Sequence, residues 1–281
     1  MKEPESQGTG EPGAGWQDYP LQGTGEPGRI RLLVAPAVRR AELGHARDLL
    51  VALPPGYAEG NARYPVVYMH DGQNLFDPAT SFAGDWGLVG TLNELGAEGV
   101  EAIVVGIPNR GRRRRSEYSP FRDLLHGGGG GERYLGFLVE TVKPLVDASF
   151  RTRPERTHTV IAGSSLGGLI SLYALYRHAG IFGAASVQSP ALWFARRAIF
   201  RYLERHRGPP AGGARIHLDV GSEEGVETLA DARRLRDVLV SAGYVAGRDL
   251  SYVEEAGAGH TEAAWGRRFR EALPFLLGKR E

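Results

Sequence analysis

The sequence contains no cysteine, which excludes disulfide bonds and thiolate chemistry and is compatible with either redox compartment. Neither sign of charge dominates. Thirty-four Lys+Arg against 33 Asp+Glu leave a formal net charge of +1, so no broad field exists to attract nucleic acid or an anionic membrane. Lysine is nearly missing, occurring only at Lys2, Lys143 and Lys279, and the basic side chains are almost all arginine. Nowhere is there a run of about 18 apolar residues, and the start, Met1–Lys2–Glu3–Pro4–Glu5, has no apolar stretch of the signal-peptide kind. These absences predict a soluble, cytoplasmic chain with no membrane or nucleic-acid partner. What is present is a 281-residue chain of 42% hydrophobic content, enough for a full core, in the size range of a single open α/β domain.

Residues 1–28 are rich in Gly, Pro, Glu and Gln, and QGTGEPG occurs twice, at 7–13 and 22–28. Two copies without a hydrophobic face cannot build a solenoid. A flexible tail is expected here, with Trp16 and Tyr19 as the residues able to pin it down. Residues 29–281 read as one folded domain. Arg29–Val34 and Arg47–Leu53 are predicted as an antiparallel pair at the sheet edge. Pro65–His70 is a near-continuous apolar run, as a strand buried on both faces should be, and Ala102–Ile107 reads as the next buried strand. Pro108–Gly131 is a long irregular stretch, expected to form a site rim in its first half, with five successive glycines from Gly127 as slack. Arg133–Phe150 reads as a helix that Pro144 kinks or splits. Further strands at Thr157–Ala162, Gly183–Gln188, Arg215–Val220 and Leu250–Glu254 alternate with helices, which predicts a mostly parallel sheet covered on both faces.

The chain is organised around Gly163–Ser164–Ser165–Leu166–Gly167. This is Gly-x-Ser-x-Gly between a strand and a helix, the pattern of a nucleophile elbow, with Ser165 held at positive φ. A serine needs a base, and the base an orienting carboxylate. Two later turns supply candidates, each directly after a strand: Gly221–Ser222–Glu223–Glu224–Gly225 and Gly257–Ala258–Gly259–His260. His260 is the expected base. Glu224 is preferred as the acid, ahead of Glu223 and then Asp219. The oxyanion donors are expected to be the backbone N–H groups of Leu166 and of Gln73, in the loop His70–Asp71–Gly72–Gln73. Asp71, Trp86, Arg110, Arg114, Tyr118 and Trp193 are the substrate-binding candidates.

With these residues assembled, the chain resembles the putative esterase family of α/β-hydrolases, which includes enterochelin (Fes-type) esterases, feruloyl esterases, S-formylglutathione hydrolases and the antigen 85 mycolyltransferases. The resemblance rests on Tyr68–Asp77, Gly106–Arg110, Arg114-x-x-Glu117–Tyr118, Gly163–Gly168, Gln188–Trp193, Val220–Glu224 and Gly259–Trp265. It implies an α/β-hydrolase fold with a mostly parallel sheet of about eight strands. It also implies ester hydrolysis of a small-molecule substrate, enterochelin-esterase-like, without metal or organic cofactor. An acyltransferase with the same triad and a non-catalytic binding protein on this fold are the alternatives. The resemblance leaves oligomeric state open.

Overall fold

The computed structural model describes residues 15–23, 28–82, 84–206 and 213–278. Its main sheet begins with β1 (Gln17–Asp18), β2 (Arg31–Arg40), β3 (His45–Leu53), β4 (Val66–His70) and β5 (Ile103–Ile107). A separate hairpin of β6 (Arg122–Asp123) and β7 (Gly127–Gly128) follows. The main sheet is completed by β8 (Thr159–Ser164), β9 (Ala184–Gln188), β10 (Arg215–Gly221) and β11 (Leu250–Glu255). Nine strands lie in the order β1-β2-β3-β5-β4-β8-β9-β10-β11. From β5 to β11 all neighbours are parallel, and β1–β3 form an antiparallel edge. The fold class is that expected, an α/β-hydrolase sheet, with one strand more.

Alternation along the central strands explains why they read as continuous apolar runs. On β4, Val66 and Tyr68 face one hydrophobic cluster while Val67 and Met69 face the other, since successive side chains point to opposite faces. Helices α1 (Leu88–Ala97) and α8 (Glu262–Leu276) cover the second face. The short α2 (Arg114–Glu117) lies at the strand ends. Helices α3 (Gly131–Phe137), α4 (Lys143–Ser149), α5 (Leu166–Arg177), α6 (Phe194–Arg205) and α7 (Val226–Ser241) pack on the first face.

Two expectations are corrected. Within the tail, residues 15–23 are not a loose segment. Trp16 is buried edge-on against Phe150, β1 pairs with β2, and the Tyr19 hydroxyl and the Gln22 and Gly23 N–H groups converge on Asp77. The pinning by Trp16 and Tyr19 prevails because burying an indole outweighs the weak local propensity. Residues 1–14 and 24–27 lie outside the described residues. The glycine run is not slack either: Gly127 and Gly128 form β7, and a Cβ on Gly128 would come within 2.6 Å of the Phe121 carbonyl oxygen. The helix expected over 133–150 is split beside Pro144 as anticipated, by a π-helical turn at Leu138–Val142 between α3 and α4. The proline lacks an N–H and its ring crowds the preceding turn, so the chain widens there.

Candidate active site

Because β4, β5, β8, β9, β10 and β11 run parallel, the loops after them gather at one edge, where ligands of open α/β sheets bind. Ser165 follows β8 with φ 57° and ψ −120°, a conformation that a non-glycine residue adopts only when its surroundings impose it. The imposing contacts are on β9 and just beyond it. The Ser165 N–H donates to the Gln188 carbonyl at 2.9 Å, and its own carbonyl accepts from the Ala191 N–H at 2.9 Å. Gly163 lets the turn close, since a Cβ there would lie 2.9 Å from both the Gly167 backbone and His70 Cδ2. Leu166 is the first residue of α5, so its N–H has no intrahelical acceptor.

His260 immediately precedes the N-cap of α8, Thr261, whose hydroxyl accepts the Ala264 N–H. Its Nδ1 lies 2.7 Å from Glu224 Oε2, and its ring stands edge-on to Trp265 at 4.8 Å. The Glu224 side chain is fully buried and that of His260 is 44% exposed, which leaves the imidazole accessible and the carboxylate dry. The other carboxylate oxygen of Glu224 accepts from the Gly221 N–H at 2.8 Å and from the Ser189 hydroxyl. Burial alone would raise this carboxyl, but the hydrogen bonds from His260, Ser189 and Gly221 outweigh it and hold it below the ordinary value. Glu223 is exposed. Asp219 is fully buried and paired with His217 and Arg268.

Ser165 and His260 both open into a cavity of about 670 Å³ that Asp71, Gln73, Trp86 and Arg114 also line. Among the described residues no group of three or more His, Asp or Glu side chains is arranged to hold a metal ion, and no helix is long and apolar enough to cross a membrane.

The expected substrate-binding residues separate in the structure. Asp71 lines the cavity, but its carboxylate is held by a two-pronged pair with Arg114, both contacts at 2.8 Å, and by Asn109 Nδ2 at 2.7 Å. Burial would lower the Arg114 guanidinium, yet Asp71 overrides it and pushes it up. Tyr118 is corrected: it is completely buried, and its hydroxyl accepts the Asp71 N–H at 3.0 Å, so it shapes the loop and does not face the cavity. Arg110 and Trp193 are not among the cavity's lining residues; Trp193 stands 46% exposed beside His126. Trp86 lines the cavity and packs against Trp265 and Phe269. Gln73 sits in a 3₁₀ turn, its side-chain oxygen fixed by the Asn109 N–H at 3.0 Å.

Sequence reasoning missed the support beneath the Glu224 carboxylate. The Ser189 hydroxyl accepts from Trp265 Nε1 at 2.9 Å and from Arg268 Nη2 at 2.8 Å, and donates its hydrogen to Glu224. Arg268, 3% exposed, pairs with Asp219 at 2.8 Å and with Glu255 at 2.9 Å. His70, discounted as the base, is buried behind the elbow with Nδ1 2.7 Å from the Tyr134 hydroxyl. Burial pulls it down to about 3, so it stays neutral.

A nine-stranded, mostly parallel sheet with a strained serine elbow at its carboxyl edge defines an α/β-hydrolase. The profile of the Putative esterase family matches residues 41–276, and the chain belongs to that family; it is a carboxylic-ester hydrolase. The uncharacterized protein YbbA of Bacillus subtilis is 27% identical over 83% of this chain and 93% of its own length. The iron(III) salmochelin esterase of Escherichia coli is 28% identical over 64% of this chain. That match spans 43% of the salmochelin esterase, so the chain covers less than half of that relative. Among solved structures, an IroE-like serine hydrolase from Shewanella oneidensis superposes with a TM-score of 0.68 at 22% identity, over 87% of this chain and 78% of that one.

Proposed function

We propose that the chain hydrolyses its ester through an acyl-enzyme on Ser165, with His260 as general base and Glu224 as the orienting acid. The observation that carries this reading is the 2.7 Å contact between His260 Nδ1 and the buried Glu224 carboxylate, with the other side of the ring open to the cavity that holds Ser165. With Nδ1–H donated to Glu224, Nε2 is the free lone pair that takes the Ser165 Oγ proton as Oγ attacks the ester carbonyl. The developing oxyanion meets the backbone N–H groups of Leu166 and Gln73. His260 then protonates the leaving alcohol, and water activated by the same nitrogen releases the acid. Among the described residues Ser165 Oγ has no hydrogen-bond partner, consistent with a nucleophile whose contact with its base tightens only when substrate is bound.

The substrate we propose is a small siderophore-type ester, on the strength of relatives such as the salmochelin esterase. Turnover of p-nitrophenyl acetate and butyrate by wild type, Ser165→Ala and His260→Ala, with folding checked by circular dichroism, tests the mechanism. Both variants should stay folded and lose about 10⁴-fold or more in kcat. Activity persisting in Ser165→Ala would refute the assignment of the nucleophile.

A further inference from the structure

A second cavity, of about 510 Å³, adjoins the first. The two share Gly111, Arg112 and Arg114 as walls, and Leu166, the residue after the serine, lines the second. The guanidinium groups of the Arg112–Arg115 run are not equivalent. Arg114 is committed to Asp71 and lies over the Tyr118 ring, and Arg113 contacts His45 Nδ1. Arg112, exposed at the junction of the two cavities, makes no hydrogen bond or ion pair among the described residues. Arg115 has a single 3.5 Å contact, to the His126 carbonyl. None of the residues lining the second cavity carries a carboxylate. The nearby Asp123 is engaged by His126 Nδ1 and by the N–H groups of Leu125 and His126. The opposite wall is the backbone of Gly127 and Gly128, held by pairing of β7 with β6.

Two arginines with no carboxylate partner, beside the Gly127–Gly128 backbone and next to the nucleophile's helix, suit a planar anion, because a guanidinium presents paired donors that match a carboxylate. We propose that this side cavity binds a carboxylate carried on one half of the ester substrate, with Arg112 and Arg115 as the specificity-determining residues. The proposal rests on the Ser165 reading above and names the class of ester that the site prefers. Arg110 lies off the cavity linings and the charge of Arg114 is already paired, so neither is assigned this role.

The test uses two size-matched pairs, one for each half of the ester. They are the mono-p-nitrophenyl ester of adipate against that of adipamate, and 3-carboxyphenyl against 3-carbamoylphenyl butyrate. In one pair the wild type should favour the carboxylate by roughly tenfold or more in kcat/KM, the scale of a hydrogen bond to a charged group after allowance for solvent. Added NaCl should erode that preference. Arg112→Gln/Arg115→Gln should bring the ratio close to one, and Arg112→Lys/Arg115→Lys should retain part of it. A ratio near one in wild type for both pairs, or a preference that survives in the Gln/Gln variant, overturns the proposal. Calorimetric binding of the same esters to Ser165→Ala separates the two readings. Arginine-dependent preference for the carboxylate there upholds the side cavity even if turnover never depended on Ser165, and equal affinities reject it even if hydrolysis proceeds as proposed.

Discussion

Replacing Glu224 by Gln tests the triad more sharply than deleting it, because the surrounding donors dictate how the amide must lie. Glu224 Oε1 receives the Gly221 N–H and the Ser189 hydroxyl. Ser189 cannot turn its hydrogen elsewhere at no cost, since its oxygen already accepts from Trp265 and Arg268. A Gln carbonyl must therefore occupy the Oε1 position, which directs the amide NH₂ at His260 Nδ1 in place of Oε2, now 2.7 Å away. Nδ1 then becomes an acceptor, the ring proton moves to Nε2, and the nitrogen facing Ser165 has no lone pair. Loss of the correct tautomer in a serine triad typically costs about 10⁴ in kcat, equivalent to about 5 kcal/mol of barrier. Steady-state hydrolysis of p-nitrophenyl butyrate should show that fall in kcat with little change in KM. Glu224→Gln retaining kcat within about tenfold of wild type would refute both the acid assignment and the tautomer argument.

Two further perturbations address the support and the frame. Arg268→Met removes a cation that faces Asp219 and Glu255 and lies 3.6 Å from Glu224. Buried carboxylates stripped of their partner should cost about 3–5 kcal/mol, read as a lowered denaturation midpoint in urea; a loss below about 1 kcal/mol would mean that the pairs are solvated. His70, held down to about 3 by burial, makes stability depend on pH with a defined sign. Between pH 3 and the usual histidine range the unfolded chain binds a proton that the native chain refuses. Unfolding free energy should therefore fall as pH drops through that window, by about 1.4 kcal/mol per unit. Denaturant titrations of wild type and His70→Asn should differ by that slope, and parallel curves would show that His70 protonates in the native state.

The parallel core was legible because its strands are buried on both faces and so carry unbroken apolar runs, as in Val66–His70 and Ile103–Ile107. What escaped local reading shares a physical cause. Trp16 and Tyr19 act through contacts with Phe150 and Asp77 that no window around them contains. The glycines from Gly127 look like a flexible linker by composition, whereas their role is to let backbone approach backbone. For Gly128, Gly130 and Gly131 that role is visible against Phe121, Ser116 and Pro120, where added Cβ atoms would collide.

In the site, the meeting of the candidate residues at one sheet edge was readable and their environment was not. Ser165, Glu224 and His260 each follow a strand of the parallel sheet, so chain order and sheet direction together bring them to one edge. Choosing among the acids needed a different kind of information. Asp219 Oδ2 meets His217 Nε2 at 3.1 Å, and its Oδ1 meets Arg268 at 2.8 Å and the Ser189 N–H at 3.3 Å. Both of its oxygens are thus taken by its own strand and by α8, while Glu224 keeps one oxygen for the imidazole. Arg268 sits between these two carboxylates, 79 residues from the Ser189 hydroxyl it contacts. A single buried guanidinium therefore sets a division of labour: it saturates Asp219 as a structural anion, and through Ser189 it holds Glu224 in the rotamer that serves His260.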